Sequence, residues 1–234
     1  MAEINTSSSR TLNGHEIVSP TEKLDADGFR ARMREEYGFV DGNPLERASH
    51  LKEMSVEGVA ILLEDINKSV QGSRGSLMNH DSAPGISGDV KTLAPENRYE
   101  VFLKLIEAIR ACPEDINPAR IGDVLALGVV MLHPFHDGNG RTARAVGLLF
   151  RDFYDSDEYR HTYDMVTDGR DVVRSMSYEE RQAQGRVYIP GYVPYLPEGT
   201  DQSDPQVVSD YLQGLLRNEE STYTGTFGDT TLKV

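Results

Sequence analysis

Apolar positions recur at helical spacing through most of the middle of this chain and thin out at both ends. The segment Asp25–Phe39 predicts a first short helix. Pro44, placed where a first helical turn tolerates proline, opens a longer one expected to run unbroken through Val70. Gln71–Leu93 is rich in Gly, Ser and Asp and lacks a helical period, so it predicts a loop or loose β-hairpin. Pro95 starts the next helix, in which Phe102, Leu105, Ile106 and Ile109 share one face. Ile116–Leu132 follows, apolar on nearly every side, the mark of a helix buried at the centre of a fold. Another helix is expected over Gly140–Tyr154. Beyond it the pattern weakens to a short helix at Ser177–Gly185, an extended Pro/Gly connector at Arg186–Gly199 and a C-terminal helix at Asp204–Asn218. The expected fold is all-α with a small β-hairpin.

The ends carry little apolar patterning. Residues 1–23, with many Ser, Thr and Asn, are expected to form a flexible arm, and 221–234 a flexible tail around a single domain at 24–220. No run of 18 apolar residues and no signal-peptide core occur, which predicts neither a membrane span nor cleavage. Cys112 is the one cysteine, so disulfides within the chain and cysteine-rich zinc sites are excluded. That suits the cytoplasm, or an effector exported without a cleavable signal. The net charge of −14 argues against a nucleic-acid partner, because such affinity rests on cations meeting phosphates. Composition is silent on oligomeric state.

Against this acidic background one stretch concentrates chemistry: His133-Pro-Phe-His-Asp-Gly-Asn-Gly-Arg-Thr-Ala-Arg144. Pro134 disfavours helical geometry at His133 and so ends the buried helix there. Gly138 and Gly140 allow backbone N–H groups to converge into an anion-binding nest, to which the next helix adds its own N-terminus. Asn139 offers a further side-chain donor. Arg141 and Arg144, three apart, project from one face of the new helix. Asp137 has the character of a magnesium ligand beside bound phosphates. His133, next to the pocket, has the ordinary titration range of a base at neutral pH. The His133/His136 spacing would also suit zinc, but Pro134 and the glycines break the helix such a pair uses, and no third ligand is near.

The stretch resembles the signature of the Fic family of protein adenylyltransferases, His-Pro-Phe-x-Asp/Glu-Gly-Asn-Gly-Arg-x-x-Arg, at every specified position. The resemblance implies a helical core at about 94–154, with the family's flap hairpin within 73–93. It implies Mg²⁺-dependent transfer of AMP from ATP to a Ser, Thr or Tyr hydroxyl of a target protein. In those terms His133 is the general base, Phe135 a buried anchor and Asp137 the metal ligand. Gly138, Asn139 and Gly140 form the anion hole, Arg141 and Arg144 bind the β- and γ-phosphates, and His136 has no role. The flap docks the target as an added strand. Two alternatives are a relative transferring another phosphate-containing group, as a kinase does, and an idle binding module on the same scaffold.

Many members carry an inhibitory helix, Ser/Thr-x-x-x-Glu-Gly/Asn, whose glutamate pairs with the second arginine. Three segments approach it: Thr92–Asn97 with Glu96 after a proline, Glu53–Gly58 with Glu57, and Ser209–Gly214 with Gln213 in place of Glu. All are imperfect. The expectation is weak or no internal inhibition, with control by a separate antitoxin-like protein or by delivery.

Overall fold

The computed structural model describes residues 9–12, 14–40, 42–76, 78, 93–152, 154–168, 201 and 203–217. Eight α-helices, a 3-10 turn at Gly72–Arg74 and one antiparallel pair of strands make up the regular structure of these residues. The strands are β1 (Ser9–Leu12) and β2 (His15–Val18), in register from Ser9 opposite Val18 to Leu12 opposite His15. The helices are α1 (Ala26–Tyr37), α2 (Pro44–Glu53), α3 (Val56–Gln71), α4 (Pro95–Ala111), α5 (Pro118–Leu132), α6 (Asn139–Leu148), α7 (Asp157–Asp168) and α8 (Pro205–Arg217). The mainly helical class expected from the periodicity is what forms.

The starts of the helices follow local rules. Asp25, Asn43, Ser55 and Asn117 each cap a first turn by accepting backbone N–H groups, and Pro44, Pro95 and Pro118 occupy first-turn positions. α5 is the hub. It packs against α2, α4, α6 and α8, and α6 in turn meets α3 and α7. Gly122 on α5 makes room for Phe150, whose ring would lie 2.8 Å from a methyl group there. One continuous core runs from Ile17 on β2 through Phe102, Leu125 and Val146 to Leu212 on α8.

The structure corrects three expectations. Residues 9–18 are not part of an arm: they form the hairpin, with Ile17 buried against the core. The physical reason is that short alternating segments flank Gly14, which takes φ 82° at the turn. The long helix expected from Pro44 to Val70 is two, α2 and α3. The Ser55 side chain accepts from Gly58 N–H at 3.0 Å and starts a new helix after Met54 turns to extended geometry. The last expected helix of the centre ends at Leu148, and a separate α7 follows with its tyrosines buried. Residues 77 and 79–92, where the flap was expected, lie outside the described residues, as do Ser177–Gly185, Arg186–Gly199 and the tail at 221–234.

Candidate active site

The site is built where the most apolar helix stops. α5 runs buried to Leu132, and His133 then takes a left-handed conformation, φ 50° and ψ 53°, while its N–H still bonds Val129 O at 3.1 Å. Such geometry is uncommon for a side-chain-bearing residue. It persists here because both sides of the turn are held. Arg98 on α4, 1% exposed, donates Nε–H to Leu93 O at 3.2 Å and an N–H to His133 O at 3.4 Å. On the far side Phe135 is buried, which alone anchors the loop by about 1.5–3 kcal/mol.

Asn139 closes the turn. Its Oδ1 accepts from Phe135 N–H at 2.9 Å and its Nδ2 donates to Phe135 O at 2.7 Å. The oxygen and one N–H of this buried amide thus shape the loop. Its backbone N–H, in contrast, stands in the first turn of α6, which starts one residue earlier than expected. Gly138 precedes it at φ 81°, caps α6 with no side-chain bond, and so leaves the helix's first amides uncovered by any capping group.

The charged residues converge on that helix start. Asp137 accepts from Gly138 N–H through Oδ1 at 2.7 Å, and its Oδ2 lies 3.4 Å from the Arg141 guanidinium. Arg144 folds back along α6, its guanidinium nitrogen 3.4 Å from where a methyl group on Gly140 would be. His133, Asp137, Gly138, Asn139, Gly140, Arg141 and Arg144 thus occupy one turn and the first two helical turns after it. Among the described residues no group of three His, Cys, Asp or Glu side chains is placed to hold a metal. His136 is exposed, and its N–H reaches Ser76 Oγ at 3.3 Å.

Burial lowers the pKa of the His133 imidazole, since desolvation disfavours the charged ring. A hydrogen bond to the Val130 backbone works the other way, Arg98 adds to the lowering, and Asp137 opposes it. The balance favours a neutral ring, the form able to accept a proton.

Sequence reasoning missed the residues that hold this turn from outside. Asn67 on α3, fully buried, donates Nδ2 to both Asp137 O and Thr142 Oγ1 at 3.0 Å, and its Oδ1 accepts from Ser76 N–H at 2.8 Å. It thereby joins the signature turn to the segment that leads toward 77–92. Glu64, one turn earlier, accepts from Met78 N–H at 3.0 Å and from Arg10 at 3.2 Å. The available signal was the string of polar residues interrupting an otherwise apolar α3: Glu64, Asp65, Asn67, Ser69 and Gln71.

Residues 59–151 match the model of the Fic/DOC family. This stretch is a Fic domain. It begins inside α3 and ends just past α6, so Asn67, Arg98 and the whole signature turn belong to it. The hairpin, α1, α2, α7 and α8 pack around the Fic domain from outside the matched stretch. No curated protein and no solved structure matches the chain. Among the described residues no helix is long and apolar enough to cross a membrane.

Proposed function

We propose that the chain is a protein adenylyltransferase, moving AMP from ATP to a Ser, Thr or Tyr hydroxyl of a target protein. The observation that carries this reading is the single turn joining a half-buried, neutral-leaning imidazole to an uncapped helix start flanked by Asp137, Arg141 and Arg144. The helix start and the two guanidiniums suit a chain of phosphates, through N–H donors, dipole and charge. His133 accepts the proton of the target hydroxyl. The hydroxyl oxygen bonds to the α-phosphorus as the α–β bridging bond breaks, and pyrophosphate leaves. The group His133 supplies is worth about 10²–10⁴-fold in rate.

Asp137 is the residue to hold Mg²⁺. Its side chain is about one-third exposed (37%) and stands at the start of α6, where a hydrated cation beside bound phosphates would reach it. One carboxylate is a sufficient protein share where phosphates complete the sphere. When bound, the ion neutralises phosphate charge. The target docks on the segment within 73–93, whose root Asn67 and Ser76 tie to the turn. Control falls to a separate antitoxin-like protein or to delivery into a target cell.

The test is incubation with Mg²⁺ and ATP labelled at the α or the γ position. Label from α-ATP should appear on protein in the wild type and vanish in His133→Ala, while ATP binding persists. Label from γ-ATP alone would instead show a kinase, and neither label, with a suitable target present, would leave an idle binding module.

A further inference from the structure

Gln71 ends α3 at 5% exposure, and neither its Oε1 nor its Nε2 has a hydrogen-bond partner among the described residues. A buried amide left this way costs the fold stability, and native proteins seldom keep one without cause. The carboxamide is aimed at the helix start just described. A methyl group on Gly138 would lie 2.6 Å from Gln71 Cδ, so only glycine at 138 admits this side chain. The amide therefore stands against the residue that opens α6.

The same corner draws anions in two further ways. The first amides and the positive dipole end of α6 point into it. The chain before α1 also folds over it: Leu24 N–H bonds Ser69 O at 2.8 Å, and Lys23 N would be 2.8 Å from a methyl group on Gly72, which sits at φ 60°. This path brings the Lys23 ammonium within electrostatic reach of Arg141, which repels it, and of Asp164, which attracts it. Cations and a donor gathered at one helix N-terminus, in a chain of net charge −14, suit a ligand of several negative charges.

We propose that Gln71 is a phosphate-binding residue from outside the signature, its Nε2 donating to a non-bridging oxygen of the polyphosphate held at the α6 N-terminus. The proposal rests on the nucleotide reading above. It explains why the fold keeps an amide that an apolar residue of like size would serve better for stability.

The test uses the full chain in the His133→Ala background, so that no turnover occurs, with ATP and adenosine titrated by calorimetry and thermal unfolding followed in parallel. In Gln71→Leu the ATP affinity should fall about 10-fold, the loss of one charge-assisted hydrogen bond. Adenosine binding should not change, and the unfolding midpoint should hold or rise. Gln71→Glu, which sets a carboxylate against the phosphates, should weaken ATP further. Unchanged ATP affinity in both variants would overturn the proposal. So would a parallel loss for ATP and adenosine, or a lowered midpoint in Gln71→Leu, either of which would mean that the amide only packs. Absence of ATP binding to the parent would instead sink the nucleotide reading itself.

Discussion

At the scale of single residues, the site depends on a histidine held in an unfavourable backbone geometry and kept neutral. Burial and the Arg98 charge lower the His133 pKa from its ordinary value near 6.5, against the Val130 and Asp137 contributions. In the proposed reaction the base is the deprotonated ring. Activity should therefore be flat across neutral pH and fall only as pH drops through a value below 6.5, when the ring takes a proton. Replacing Arg98 by Met removes a charge that favours the neutral ring, so the acid limb should move to higher pH. It also strips the donors to Leu93 O and His133 O, so kcat should fall at every pH. A profile of kcat against pH for the two proteins checks both statements. An unmoved limb would show that Arg98 acts on shape alone. The signature residues could be read from sequence because their chemistry is contiguous. Asn67, Gln71 and Arg98 could not, because what they touch is 35 to 75 positions away and only packing brings it near.

At the scale of elements, the placement of α3 bears on internal inhibition. Glu57 was one of three candidates for an inhibitory glutamate. The structure leaves it exposed in the first turn of α3, whereas Gln71 at the last turn meets the signature. Fourteen residues of helix separate them, about 21 Å at 1.5 Å per residue. Glu96 lies exposed in the first turn of α4, and Gln213 bonds to Ser209 and Arg217 within α8. Glu57→Gly should therefore leave self-modification unchanged while lowering stability by about 1 kcal/mol, the helix cost of glycine. A large rise in labelling would refute this placement. The break between α2 and α3 was legible in principle: Ser55 with Val56 and Glu57 after it is an N-cap followed by a first turn bearing an acid. The hydrophobic period alone hid it, since the apolar positions of the two helices run nearly in phase across Met54.

At the scale of the whole molecule, the matched stretch is held by chain outside it. Its first helix keeps Glu64 and Asp65 buried, and both find their cations in the N-terminal third. Arg10 on β1 reaches Glu64. Arg32 on α1 grips Asp65 with two nitrogens, to Oδ1 at 2.7 Å and Oδ2 at 2.5 Å, and also donates to Val18 O at 2.8 Å. Arg47 on α2, 1% exposed, donates to Leu149 O, Arg151 O and Val40 O and lies over the Tyr154 ring, closing the far end of the stretch. The hairpin, α1 and α2 are thus tied to the matched stretch by buried charges. Arg32→Ala leaves the Asp65 carboxylate, 1% exposed, without its cation, and should lower the unfolding free energy by about 3–5 kcal/mol. The double variant Arg32→Met with Asp65→Leu removes both charges and fills the space with apolar atoms. It should recover most of that loss, because a buried pair and an apolar pair of like volume differ little. Urea denaturation of the three proteins measures it. If Arg32→Ala unfolds like the wild type, the N-terminal third is a passenger on the domain; if the single variant is weak and the double one restored, the charge pair is the clamp that makes residues outside the matched stretch part of its fold.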